Sequence, residues 1–288
     1  MTSEMAGSKF AAACVQMQGT RSIDDNVEAA AAMIREAARL GADYVQTPEQ
    51  TGIMELDRVK LFEQITDEAG DKALPVFRTL AAELGIWLHV GSLAIRLSDE
   101  QAANRAFVIA PDGEIAARYD KIHMFDVDLP NGETYRESRT YRPGSAAVVC
   151  DLPWARLGLS ICYDIRFPYL YRALAGAGAT VLSAPAAFTK VTGEAHWALL
   201  QRARAVENGA FVISAAQGGM HQNGRATYGH SMIVAPWGEV LAEAGTEPEV
   251  IVAEIDLARV DEARGRVPSL THDRSFQPPV VGQERRAS

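Results

Sequence analysis

The turn Pro111-Asp112-Gly113-Glu114 constrains the fold more than any other stretch of this chain. It separates two strand-like runs, Asn104–Ala110 and Ile115–Tyr119, and Pro-Asp-Gly is the chemistry of a tight reversal, so these strands lie antiparallel. Pro236-Trp237-Gly238-Glu239 repeats the device between Tyr228–Ala235 and Val240–Glu243. Elsewhere strands alternate with helices, as in crossover units. Strands are expected at Phe10–Met17, Ala42–Glu49, Ile86–Ile95, Thr180–Pro185 and Phe211–Ala216, and helices at Ser22–Leu40, Leu74–Leu84, Tyr169–Gly176 and Gly193–Asn208. The first helix carries Asp24 and Asp25 early and Arg39 late, the polarity its dipole favours. Hairpins mixed with crossovers point to an α/β protein of two sheets packed face to face, with helices outside both.

With 48% hydrophobic residues among 288, the chain has material for one large layered core or two small ones, and no linker divides it. The expected organisation is a flexible leader at 1–9, a single domain at 10–273, and a tail at 274–288. From Gln277 onward the tail has no helix or strand period and reads as a loose end or an arm reaching to a partner subunit. A net charge of −9 argues against nucleic acid and anionic membranes as partners. No apolar run approaches the roughly 18 residues that cross a bilayer. The polar start, Met1 to Ser8, lacks the basic-then-apolar form of a signal peptide.

Three cysteines, Cys14, Cys150 and Cys162, form neither an even framework nor a Cys-x-x-Cys pair, so a reducing, cytoplasmic location is expected. Cys14 and Cys150 sit in apolar strand-like runs and read as packing residues. The six histidines lack zinc-site spacing, and neither metal nor cofactor is expected. His123 and His196 read as structural, with pocket lining as the competing role.

Cys162 is different. The run Arg156–Ile161 delivers it to the point where strand chemistry stops and the Pro-punctuated turn Tyr163-Asp164-Ile165-Arg166-Phe167-Pro168 begins. A sulfur at such an elbow is exposed at a strand end, can receive backbone N–H groups, and lies near a helix N-terminus that favours thiolate. A buried, inert cysteine is the alternative. Two further strands end in chemistry: Ala42–Glu49 in a carboxylate, and Ala116–His123 in a lysine, Lys121. Strand-end residues from different strands meet on one rim of a sheet, so Glu49, Lys121 and Cys162 are expected to converge.

This order, carried on Pro48-Glu49, on Tyr119-Asp120-Lys121-Ile122-His123 and on Cys162-Tyr163-Asp164-Ile165-Arg166-Phe167-Pro168, resembles the nitrilase superfamily of carbon–nitrogen hydrolases from about Phe10 to about Asp273. The resemblance implies a four-layer αββα sandwich and a homodimer or larger homo-oligomer, paired through the layer beside the nucleophile helix. It implies amide hydrolysis through an acyl-thioester. Cysteine is the soft nucleophile that a poorly electrophilic amide carbonyl requires. Glu49 takes the thiol proton and returns it to the departing amine, a role that calls for a carboxyl pKa raised by partial burial. Lys121, with a backbone N–H near Cys162, answers the oxyanion. Arg136-Glu137-Ser138 falls where the family carries a second glutamate, so Glu137 is expected to hold Lys121 charged; Glu133, in a turn-type stretch, is the competing choice.

The residues after Cys162, together with Phe188, Thr192–Trp197 and Ala215–Ser231, resemble the ω-amidase and deaminated-glutathione amidase branch, the latter more closely. The substrate implied is a small amide bearing a carboxylate, deaminated glutathione first. α-Ketoglutaramate, N-carbamoyl amino acids and nitriles are alternatives. Arg166 is the candidate carboxylate grip, with Thr192 adding a hydroxyl and Phe188 an apolar wall; an ion pair of Arg166 with Asp164 or Glu207 is the competing reading. Arg202 and Arg204 read as surface or interface ion-pair formers. An inactive binding or scaffold member is a further alternative, disfavoured because none of the four polar site residues is lost.

Overall fold

The strand Lys9–Gln16 sends alternate side chains into separate cores, as the twofold period of a strand requires. Ala12 and Cys14 join an apolar cluster between two sheets, whereas Ala13 and Val15 join a second cluster beneath helices. A computed structural model describes residues 9–279. The expected leader, except Lys9, and the end of the expected tail, 280–288, lie outside the described residues.

Each sheet has six strands. In order across the first they are Glu249–Asp256, Lys9–Gln16, Tyr44–Gln46, Trp87–Arg96, Ala102–Ile109 and Ile115–Asp120. In the second they are Val240–Glu243, Met232–Val234, Phe211–Ser214, Val181–Ser183, Arg156–Gly158 and Val149–Asp151. Both have a parallel centre and antiparallel flanks. Ile23–Arg39 and Ala73–Leu84 cover the outer face of the first sheet, and Pro168–Gly176 and Lys190–Asn208 that of the second. The architecture is the αββα sandwich.

Local chemistry explains the boundaries. Ser22 caps the first helix by accepting from Asp25 N–H at 3.3 Å. The helix expected from Gly193 begins three residues earlier, at Lys190, because the Thr189 side chain caps it. Both expected hairpins form, but the second runs only from Met232, since His230 at φ 54° breaks the expected strand Tyr228–Ala235. Its first part, Ala226–Tyr228, pairs instead with Gly218–Met220 as a separate ribbon. The edge strand Glu249–Asp256, absent from the sequence reading, pairs with Lys9–Gln16 along its whole length.

Candidate active site

The parallel strands of both sheets end on the same rim. Glu49 lies three residues past the strand Tyr44–Gln46, Lys121 directly follows Ile115–Asp120, and Cys162 lies four past Arg156–Gly158. The expected strand to Glu49 is therefore shorter, and its last turn is a loop. That loop is locked: Thr51 Oγ1 donates to the Pro48 carbonyl at 2.6 Å, and Gly91 N–H donates to Thr47 Oγ1 at 3.1 Å. A Cβ at Gly91 would overlap the Thr47 and Pro48 carbonyl oxygens, so only glycine lets the neighbouring strand pass this close.

The structure brings Glu49, Lys121, Glu137 and Cys162 together at one cavity of about 220 Å³. Lys121 Nζ donates to Glu49 Oε1 at 2.8 Å and to both Glu137 oxygens at 3.0 and 2.8 Å. The N–H of Phe125 donates to Glu137 Oε2 at 2.7 Å, which fixes that carboxylate from behind. Glu49 Oε2 accepts from Ala187 N–H at 2.8 Å, and Glu49, Ala187 and Cys162 line the same cavity. Glu133, the competing carboxylate, accepts from the Tyr135 hydroxyl at 2.9 Å and does not line the cavity.

Cys162 occupies the left-handed region at φ 51°, a strained conformation for a side chain with a Cβ, which an elbow tolerates when its surroundings hold it. Those surroundings are explicit. Cys162 N–H donates to the Pro185 carbonyl at 2.9 Å, and Asp164, fully buried, accepts from Ile161 N–H at 2.8 Å, Tyr119 Oη at 2.7 Å and His123 N–H at 3.0 Å. With the Cys162 N–H engaged, the Tyr163 N–H is the next amide of the elbow, and it has no acceptor among the described residues.

Burial raises the Glu49 carboxyl, yet the Lys121 ammonium outweighs it and holds the group below its ordinary value. The expectation of a raised carboxyl is corrected: the lysine at 2.8 Å wins over desolvation. Lys121 stays charged despite complete burial because Glu137 and Glu49 hold it well above the usual ammonium value. Burial, then the charge of Glu49, pushes the Cys162 thiol up by more than Lys121 draws it down. The resting sulfur is a neutral thiol, not the thiolate expected at a helix N-terminus.

Phe188 and Thr192 line the cavity. Arg166 does not: its guanidinium lies behind, against the faces of Phe188 and Tyr163 at 5.3 and 5.9 Å, with Nη2 3.3 Å from His196 Nδ1. It pairs with neither Asp164 nor Glu207, because Asp164 is saturated and Glu207 is taken by Arg204 at 2.8 Å. Arg204 is itself buried rather than a surface ion-pair former. His123 is structural, 2.6 Å from Asp164 and stacked on Phe167. Cys14 and Cys150 are buried and unpaired, the latter pushed up to about 11 by burial. No cluster of potential metal ligands occurs among the described residues.

Two site residues escaped the sequence reading. Asn104 Nδ2 donates to Glu49 Oε1 at 2.9 Å and to Glu137 Oε1 at 3.1 Å, bridging the carboxylates that flank Lys121. Its signal was a lone amide within the apolar run Ala102-Ala103-Asn104-Arg105-Ala106-Phe107. Arg225 also lines the cavity, from the turn of the separate ribbon.

The family model for carbon–nitrogen hydrolases matches residues 11–265. The chain belongs to the carbon–nitrogen hydrolases. This hydrolase is 42% identical over 269 residues to deaminated glutathione amidase from Synechocystis sp. (strain PCC 6803 / GT-S), covering 91% of this chain and 97% of that one. It is 39% identical to human omega-amidase NIT2, covering 92% and 95%. Its structure superposes on the crystal structure of the C. elegans NitFhit protein with a TM-score of 0.87 at 38% identity, covering 94% of this chain and 66% of that one. The αββα layers are those of the family, and the enzyme hydrolyses carbon–nitrogen bonds of amides.

Proposed function

We propose that Cys162, Glu49 and Lys121, supported by Glu137, hydrolyse the amide of a small α-keto acid through an acyl-thioester, with deaminated glutathione as the natural substrate. The observation that carries the catalytic assignment is one carboxylate, Glu49, that holds the Lys121 ammonium at 2.8 Å in the same cavity that the Cys162 thiol lines. Because thiol and carboxylate rest in the neutral and ionised forms, the sulfur attacks as Glu49 removes its proton. A C–S bond forms, and the carbonyl oxygen becomes an oxyanion facing Lys121 and the Tyr163 N–H. Collapse breaks the C–N bond, and the amine leaves with the proton that Glu49 took. Water then attacks the thioester, giving its proton to Glu49. The C–S bond breaks, the acid is released, and the proton returns to sulfur.

The substrate assignment is supported by the similarity to the Synechocystis deaminated glutathione amidase. The ω-amidase reading, with α-ketoglutaramate as substrate, is favoured by the 39% identity to human omega-amidase NIT2. Phe188, Thr192 and, behind them, Arg166 are the proposed acyl-side binding residues. A cytoplasmic location fits three unpaired cysteines, and a homo-oligomer formed over the helices Pro168–Gly176 and Lys190–Asn208 fits the exposure of Tyr169, Leu199 and Val206.

A screen of ammonia and amine release over α-ketoglutaramate, deaminated glutathione, N-carbamoyl amino acids and nitriles tests the reading. Turnover of the α-keto acid amides is expected to exceed that of the other classes. Preference for a nitrile or an N-carbamoyl amino acid would refute the substrate class.

A further inference from the structure

Two guanidinium groups near the sulfur have no carboxylate partner. Arg166 rests on the faces of Phe188 and Tyr163, with His196 as its side-chain hydrogen-bond partner. Arg225 rests 5.3 Å over the Tyr135 ring, and its Nη2 donates to the Ala187 carbonyl. Its Nε is buried without a hydrogen-bond partner. Among the described residues no Asp or Glu comes within 4.0 Å of either group. The other charges that line the cavity are answered. Arg136 donates to Asp128 at 2.6 Å and to two carbonyls, and Glu55 accepts from Arg21 at 2.6 Å and from Asp57 N–H at 2.8 Å.

Of the two cations, Arg225 lines the cavity that holds the reacting sulfur and Arg166 does not. Arg166 belongs to the elbow and packs behind the cavity wall on the Phe188 and Tyr163 rings. Arg225 packs on the side of Tyr135 and Ala187, and Ala187 N–H holds the Glu49 carboxylate at 2.8 Å. Direction follows from proton transfer: the departing amine must face the acid that protonates it, so the leaving group emerges towards Glu49. Arg225 therefore borders the leaving amine rather than the acyl half. An unpaired, largely enclosed guanidinium in that position suits a planar anion, and ammonia offers none.

We propose that Arg225 binds a carboxylate carried by the leaving amine, so that the enzyme prefers amides of an amino acid or short peptide over primary amides that release ammonia. This rests on the α-keto acid amidase reading above and assigns the leaving group within it. A competing role for Arg225 is to balance the two carboxylates around Lys121, which would serve every substrate alike.

The test uses two γ-amides of α-ketoglutarate that share one acyl half. One carries Ala-Gly as the leaving amine and the other Ala-Gly-amide, which differ in the terminal charge. For the wild-type enzyme, kcat/KM for the carboxylate form is expected to exceed that for the amide form by at least about tenfold. In Arg225→Gln this ratio is expected to fall towards one, and in Arg225→Lys to recover part of the difference, because a point charge replaces the planar fork. A wild-type ratio near one overturns the proposal. So does a ratio that survives Arg225→Gln while both rates drop together, the signature of charge balance or of a structural role. If Arg225→Gln does not fold, the wild-type ratio and Arg225→Lys decide. Failure of the wild-type enzyme to release amine from either compound would instead sink the underlying amidase reading, and this inference with it.

Discussion

Replacing Glu137 by glutamine isolates the charge that keeps Glu49 an effective base. Glu49 Oε1 and Glu137 Oε1 share the Lys121 ammonium at 2.8 and 3.0 Å. They therefore lie no more than about 6 Å apart, and at an effective dielectric of about 20 their repulsion is worth about 3 kcal/mol. That repulsion raises the proton affinity of Glu49 against the pull of Lys121. Glu137→Gln removes it, so the Glu49 carboxyl should fall further and accept the thiol proton less readily. With the proton about half transferred at the barrier, the cost is about 1.5 kcal/mol, about tenfold in kcat. The acid limb of kcat/KM should not move up in the same variant, because a weaker base stays ionised further down. The assay is a pH–rate profile from pH 3 to pH 10 on one α-keto acid amide, with the folded fraction checked by circular dichroism. An acid limb that moves up, or an unchanged profile with full kcat, would refute the assignment of Glu137 as the group that tunes Glu49 through Lys121.

Three other variants or conditions follow from the same geometry. In the wild type, Glu49 is held below its ordinary value and Cys162 above its own, so activity should persist as pH falls through the usual carboxylate range and be lost only below it, when the base becomes protonated; a steep loss near pH 6 would contradict that sign. Asn104→Leu deletes both hydrogen bonds that tie the carboxylates together and should lower kcat by roughly tenfold to a hundredfold with little change in KM, measured by steady-state kinetics. Gly91→Ala forces a Cβ against the Thr47 and Pro48 carbonyls and should cost on the order of 2 kcal/mol or more, seen as a lowered Tm together with a lower kcat from a displaced Glu49.

Much of this molecule was legible in its residues because local chemistry and tertiary structure agree. The Pro-Asp-Gly and Pro-Trp-Gly turns and the acidic start of Ile23–Arg39 have physical signatures within a few residues, and each appears where expected. The convergence of Glu49, Lys121 and Cys162 on one cavity was legible for the same reason, since each lies just past the end of a strand in a distinctive context. What stayed hidden depends on contacts distant in sequence. Glu249–Asp256 alternates apolar and charged residues weakly, and it becomes a strand because the open edge of Lys9–Gln16 needs a partner. Arg225 lies in a Gly-rich turn with nothing local to mark it, and only the ribbon carries it over Tyr135. The direction of the Glu49 shift was misjudged because burial is suggested by the apolar run before it, whereas the distance to Lys121 is not.

The most direct measurement is intact-protein mass spectrometry on enzyme acid-quenched during turnover of an α-keto acid amide, followed by peptide mapping. An acyl mass carried by the peptide containing Cys162, absent from Cys162→Ala along with all turnover, is the expected result. Undiminished hydrolysis by Cys162→Ala, or an acyl group mapped to Cys14 or Cys150, would contradict it.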